Sequence, residues 1–414
     1  MSSRIMKKFG DFYSSAFEDQ FSTSSYLFYL GFRIWLLYQT AILIPFHDRI
    51  WSWDSYNVKP QFNGLWTDYL LQFSTHPGMT DYYLYFIAAQ ITCLIGSFIL
   101  GSDSIITRAL IYVTTMNVYA LSGTVLDGGI NISQLLAFYF IFINTSGHKI
   151  LSDRQNKQIS NLFSNAFFIL AQFQIVTVYA TAVLYKLNGE LWQNGMAIYY
   201  ILQNDTFTLS WLKNLVINTP FIAVVATYAT LGFQILFPTM IWNQKMKYPL
   251  IGLGLMIHMG IAFGMGIFTF GIIMCLSYIL FIPSSHLKAI QESLKVHSAF
   301  DENCVLCQYF AKFINRVSSG LVIIDSAQNP KNQNLQKVPT SERLLRLAAV
   351  DADGNIKSGF EAISLLLSRS IFAPCWYPLG IVLRYSGLGE RIYSAIATST
   401  LRKNCGNKQC QLKA

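Results

Sequence analysis

Eight stretches of this chain hold apolar runs near the length of a membrane crossing, at roughly 25–45, 82–101, 104–122, 132–146, 164–186, 218–241, 248–265 and 267–284. A helix of ~20 apolar residues spans the hydrocarbon core. Lipid offers no hydrogen bonds, so each segment must satisfy its own backbone, and an α-helix does that internally. The runs predict a polytopic α-helical membrane domain of about eight spans, residues 1–285. The fourth run is short and the last two nearly touch, so seven and nine spans are the alternatives. Composition agrees: 53% of the 414 residues are hydrophobic and 12% are charged, where a soluble domain carries roughly a quarter. No cleavable signal peptide is expected. A polar, charged "MSSRIMKKFGDFYSSAFEDQ" precedes the first run and no small-residue cleavage site follows it.

Loop charge sets the expected orientation. With the N-terminus inside, Arg4, Lys7, Lys8, Arg108, Lys149, Arg154, Lys157, Lys245 and Lys247 face the cytoplasm. Only Arg49, Lys59, Lys186 and Lys213 face outward, nine cations against four. The bias places both termini in the cytoplasm of a multi-pass protein. The net charge of +9 fits loops against anionic membrane lipid. No Lys/Arg-rich run with interleaved aromatics points to nucleic acid.

Residues 286–414 form a second expected domain. "VHSAF" reads as a strand, 305–317 as a helix and "GLVIID" as a strand. "RLLRLAAVDADGNIKSG" reads as two strands around an Asp-Gly turn. "FEAISLLLSRS" and "LGERIYSAIATS" read as helices, and "IFAPCWYPLGIVLRY" as a core or interfacial helix rather than a ninth span. A strand, a helix opening on Cys-x-x-Cys, a strand and a later hairpin is the order of an α/β thioredoxin-like domain.

Cys304 and Cys307 lie one helical turn apart. At a helix start, unpaired N–H groups and the positive dipole end stabilise a thiolate. Cys304 is therefore expected to attack, with Cys307 one turn deeper resolving the mixed disulfide. Two other readings stand beside this one. The pair is half of a zinc site completed by Cys405 and Cys410, or it is plain packing. Cys93 and Cys275 lie inside apolar runs, and Cys375, Cys405 and Cys410 read as incidental on their own.

"FDENCVLC" followed by "VDADGNIKSGFEA" resembles the DCC-type thiol–disulfide oxidoreductase family over about residues 295–405. Asp301, Cys304 and Cys307 match its Asp-x-x-Cys-x-x-Cys motif, and Asp351, Gly354, Gly359 and Ala362 a later turn and helix start. Glu302 stands where the family often has Gly, so that loop is expected to differ slightly.

Polar residues inside apolar runs are costly and point to function. Arg33, His258 and, at the end of the fifth run, Lys186 stand out. For Arg33 the plain alternative is snorkelling or a buried partner; for His258, a satisfied structural histidine; for Lys186, an interfacial anchor. The expected topology puts Asp127, Lys186 and Trp192 on one side, where they could line one cavity. A lysine in a low-dielectric cavity can act as a base.

"YKLNGELWQNG" with "YYILQND", "LDGGINISQLLAFYFIF" and "IHMGIAFGMGIFTFGIIM" resemble the HTTM family over about residues 20–285. That family is related to the membrane domain of vitamin K-dependent γ-carboxylase. The likeness falls on its sporulation-delaying protein B branch, bacterial membrane proteins implicated in maturing a secreted peptide toxin. The resemblance implies that Lys186 occupies the place of the carboxylase's catalytic base. Gln234 stands where many relatives carry Glu, and the carboxylase's lumenal domain is absent from the matched pattern.

Together these readings predict a bacterial inner-membrane protein with a thiol–disulfide oxidoreductase tail acting in maturation of a secreted peptide. The alternatives are a peptide-binding maturation or immunity factor with a non-essential redox tail, or a lysine-dependent peptide-modifying enzyme. Catalysis is expected from Cys304, Cys307 and Lys186, supported by Asp301, Asp127, Arg33, His258 and Trp192. No metal or nucleotide cofactor is expected; a quinone is the candidate. Membrane lipid, a peptide substrate and a small partner protein are the expected partners.

Overall fold

The computed structural model describes residues 18, 20–46, 83–99, 104–120, 127–145, 154–205, 208–318, 320–370 and 372–398. Cys405, Cys410 and several of the cations that set the expected orientation lie outside these residues. The chain divides into two compact units, residues 1–97 with 102–284, and 98–101 with 285–414.

The first unit is helical: α1 (Ser22–Leu43), α2 (Tyr83–Ile99), α3 (Ile105–Ala120), α4 (Gly128–Phe142), α5 (Arg154–Leu187), α6 (Ser210–Asn218), α7 (Pro220–Met240), α8 (Gln244–Gly264) and α9 (Phe268–Ser277). A 3₁₀ turn, Tyr278–Phe281, continues α9. The described residues of the eight apolar runs fall mostly on these helices. As spans they are fewer. Three helices are long and apolar enough to cross a membrane, within α5, α7 and α8, or up to four if α9 and the helix after its break count as one. Helices α2 and α4 are apolar but short. The expectation of eight crossings thus reduces to three or four candidates among the described residues.

Lipid tails are as apolar as a side chain, so burial alone does not drive these helices together; close packing and interhelical hydrogen bonds do. Glycines supply the close approach. A Cβ at Gly129 would stand 2.5 Å from the Phe270 backbone, and one at Gly271 2.5 Å from the His258 carbonyl. Phe28, Phe32, Phe140, Phe233 and Phe237 fill the interior, with Tyr29 stacked on Phe140 at 5.4 Å. Thr40 donates to Gln90 Oε1, and Gln90 donates to Thr115, each at 3.0 Å, tying α1, α2 and α3. Large apolar side chains point outward, Tyr185 (83% exposed) and Phe221 (73%) among them. An outer face of that kind suits lipid.

In the second unit α10 (Ser284–Leu294), which begins at the boundary, leads to β1 (Val296–Phe300), α11 (Val305–Val317) and β2 (Val322–Ser326). Then come α12 (Thr340–Leu345), the hairpin β3 (Ala348–Val350) and β4 (Ile356–Ser358), α13 (Phe360–Ser368), α14 (Ala373–Tyr385) and α15 (Leu388–Ala397). The sheet order is β2-β1-β3-β4. β1 and β2 run parallel with Val296 opposite Val322; β1–β3 and β3–β4 are antiparallel. This is a small mixed sheet of thioredoxin-like order. Alternation sorts the strands. Val296, Phe300 and Ala349 face one side, where Ile314 of α11 and Leu366 of α13 cover them. Ala299, Ala348 and Val350 face the other. One expected strand segment is corrected. The Leu pair of "RLLRL" belongs to α12, which Pro339 opens. Arg343 of that helix is buried and donates to the carbonyls of Ala327 (2.8 Å), Leu335 (2.9 Å) and Val338.

Candidate functional site

Cys304 is the N-cap of α11, and its Sγ accepts the backbone N–H of Cys307 at 3.3 Å. Asp301 builds the turn before it. Its Oδ1 accepts the Asn303 N–H at 3.0 Å and Gln328 Nε2 at 2.7 Å, and the Asp301 carbonyl takes the Cys304 N–H at 3.3 Å. An aspartate closing on the N–H two residues ahead is an Asx turn, so Asp301 positions the first cysteine. Glu302 is exposed and its carbonyl accepts Gln308 Nε2 at 2.5 Å.

The two sulfurs differ in depth, opposite to the expected order. Cys304 is fully buried, folded back onto the helix end, while Cys307 is partly exposed. Cys307 lines an apolar cavity of about 300 Å³ with Asp301, Phe310, Ile363, Ile396 and Ala397. Arg343 is also on its wall, but that guanidinium is held by carbonyls. Among the described residues no three His, Cys, Asp or Glu side chains gather as a metal site.

The later motif shapes the opposite end of the hairpin. Asp351 accepts the Asn355 N–H at 2.8 Å and Asn355 Nδ2 at 3.1 Å. Desolvation pushes its carboxyl up. The Asn355 side chain and backbone, the Asp353 N–H and the Lys357 charge together outweigh that and hold it below the usual carboxylate range. Gly354 (φ +85°) completes the turn, and Ala362 is buried under α13.

The membrane unit gathers its own polar groups. Lys186, near the end of α5, donates to Gln234 Oε1 of α7 at 3.1 Å and lies over the Trp192 ring at 5.0 Å. Two turns back on α5, Tyr179 Oη lies 2.9 Å from His258 Nε2 and 2.6 Å from Tyr278 Oη. His258 Nδ1 is buried with no hydrogen-bond partner among the described residues. Asp127 is engaged differently. It caps α4, accepting the Ile130 N–H at 2.9 Å and the Thr269 hydroxyl, and bonds neither Lys186 nor Trp192. Arg33 is buried, donates to Ser97 at 3.0 Å and lies 4.8 Å from the Tyr29 ring centre.

Tyr179, Tyr278, Thr269, Gln328 and Arg343 escaped the sequence reading. Tyr179 carried a faint signal, seven residues before Lys186 on one helix face. Tyr278, Thr269 and Gln328 join elements far apart in sequence, Arg343 grips carbonyls of the loop that precedes it, and no local pattern marks them.

Cys304 and Cys307 thus stand at the start of the helix that joins the parallel strands β1 and β2. Residues 299–405 match the DCC1-like thiol-disulfide oxidoreductase family. The DCC1-like segment takes in the whole Cys304–Cys307 turn, the hairpin and α15. The N-terminal part is similar to sporulation-delaying protein SdpB of Bacillus subtilis, with 26% identity over 175 residues. That match takes in 39% of this chain and 53% of the relative, so the chain spans about half the relative's length. No solved structure matches the chain. The chain thus joins an SdpB-like membrane part to a DCC1-like tail.

Proposed function

We propose that this is a bacterial inner-membrane thiol–disulfide oxidoreductase whose Cys304–Cys307 pair acts in maturing a secreted peptide. The observation that carries the redox reading is the Cys307 N–H aimed at Cys304 Sγ, with Cys307 itself on the wall of an apolar cavity. A backbone donor aimed at a sulfur stabilises negative charge on it, whether it attacks or leaves. The peptide reading rests on the similarity to SdpB. With both termini in the cytoplasm the pair would be kept reduced and would donate electrons to a partner disulfide.

The test uses the full chain in detergent, with dithiothreitol as electron donor and insulin as disulfide substrate. The wild type accelerates insulin precipitation and the Cys304→Ser/Cys307→Ser variant does not. Equal rates for the two end the redox reading. In producing cells Cys304→Ser should prevent appearance of the mature secreted peptide; a normal yield would leave a peptide-binding or immunity factor with a dispensable tail.

The Lys186–Gln234–Trp192 group favours one second reading, a lysine-dependent modification of a peptide side chain. Lys186→Ala then abolishes activity while the double cysteine variant keeps it. A lipid quinone is the cofactor class suited to the membrane unit. His258 Nδ1, once Nε2 accepts from Tyr179, offers an unshared buried donor to a quinone oxygen. Such a group supplies a two-electron acceptor when bound.

A further inference from the structure

Helix α14 is covered along one stripe only. Trp376, Gly380 and Leu383, three and four residues apart, share that stripe. Trp376 Nε1 donates to Ser364 of α13 at 3.1 Å, which fixes the stripe against that helix. A surface helix carries polar residues on its remaining side. Helix α14 instead shows Tyr377, Leu379, Ile381, Val382 and Tyr385, with Val382 exposed to 62% and Tyr385 to 87%. Arg384 is its one charged residue.

The apolar surface continues beyond α14. Phe372, just before the helix, stacks on Phe313 of α11 with ring centres 6.1 Å apart. Helix α11 in turn shows Val305, Tyr309 and Phe313, each four residues from the last and all exposed. Exposed apolar surface that runs from helix to helix marks a binding or membrane face.

Charge and length select the occupant. Helices α11, α14 and α15 carry the exposed cations Lys312, Arg316, Arg384 and Arg391. Arg384 pairs with Glu361 of α13 at 2.9 Å and still keeps its side chain 64% exposed. The one acid on the three helices, Glu390, is held by Arg346 and by the Phe360 N–H at 3.3 Å. Apolar side chains with unanswered cations among them complement an anionic bilayer surface. Thirteen helical residues rise about 20 Å, short of the ~30 Å hydrocarbon core, so α14 lies along the interface and does not cross. Tyr377 and Tyr385 are of the residue type that settles at headgroup level. The 3₁₀ turn after α9 ends at Phe281 and α10 begins at Ser284, so the second unit is tethered directly to the apolar one.

We propose that α14, with the exposed stripe of α11, seats the second unit on the anionic lipid surface of the membrane. Val305, where the stripe begins, adjoins Cys304, so seating holds the cysteine pair at the level of the headgroups. The proposal is independent of the redox reading.

The test uses the wild-type full chain in lipid nanodiscs of phosphatidylglycerol and phosphatidylcholine. A trace of phosphatidylcholine with a diazirine near the head of one acyl chain is photolysed, and lipid adducts are mapped by peptide mass spectrometry. Adducts are expected on residues 377–385 as well as on α7, and not on the 351–357 hairpin. Omitting phosphatidylglycerol or raising salt should lower the α14 yield several-fold and leave α7 unchanged. The exposed pair Ile381→Glu/Val382→Glu should cut the α14 yield roughly tenfold, again with α7 unchanged. Adducts on α7 with none on residues 377–385 overturn the proposal; the face is then covered by the first unit or a second copy, or left to water. Equal labelling of the hairpin and α14, or an α14 yield indifferent to phosphatidylglycerol and salt, overturns it as well. The wild-type comparisons decide the matter even where the double variant fails to fold.

Discussion

Gly254 of α8 has no room for a side chain. A Cβ there would stand 2.2 Å from Tyr278 Oη and 2.9 Å from the Phe233 ring. Gly254→Ala therefore displaces Tyr278, breaks its 2.6 Å contact with Tyr179 and loosens His258. Overpacking of this kind costs about 1–3 kcal/mol. Thermal unfolding in detergent should show a lowered Tm, and an unchanged Tm would mean that Tyr278 does not pack there. At Asp351 the effect is one of pH. Its folded carboxyl is held below the ordinary value, so its contribution to stability is present above about pH 4 and is lost as pH falls through the folded value. The protection factor of the Asn355 amide, its exchange rate set against the unstructured-peptide rate at the same pH, should fall on acidification in the wild type and show a flatter response in Asp351→Asn. A steeper response in the variant would reverse that sign. Residues such as Asp301 and Cys304 were legible because their partners lie within one turn. Gln328, which reaches Asp301 across 27 positions, was not.

At the scale of elements, Gly359 begins α13 at φ +62°, and a Cβ there would stand 2.1 Å from Arg346 Nη2. That guanidinium is not free to swing, being paired with Glu390 and lying 5.4 Å from the Tyr393 ring. Gly359→Ala is expected to destabilise the second unit by roughly 1–3 kcal/mol, from the left-handed backbone and the displaced arginine together. Protease resistance of residues 285–398 read against urea concentration measures it; a midpoint equal to wild type would contradict the placement. Strands β1 and β2 and helices α11, α13 and α15 were legible from alternation and amphipathic spacing. Helix α12 was not. Its apolar residues sit beside those of β3, and the grip of Arg343 on three carbonyls, a tertiary interaction, decides where helix ends and strand begins.

For the whole molecule, an apolar outer face on α5, α7 and α8 predicts that the protein stays with the membrane pellet after alkaline carbonate extraction. Release into the supernatant would contradict the spans. The proposed orientation predicts that a membrane-impermeant maleimide leaves Cys307 unlabelled in intact cells and labels it after permeabilisation. Labelling of the Cys307 peptide before permeabilisation would place the pair outside. Cys307 is the better reporter because Cys304 is fully buried.

The sequence by itself determined the membrane character of the first unit, the thioredoxin-like order of the second and the cysteine pair at a helix start. These are properties of run length, spacing and near neighbours, which covalent order alone sets. Tertiary structure alone decided which sulfur faces the cavity, and that Lys186 meets Gln234 while Asp127 turns to Thr269. It also decided that Tyr179 links His258 to Tyr278. Those pairings depend on how helices rotate and cross, which close packing at glycines and buried hydrogen bonds settle across long stretches of chain.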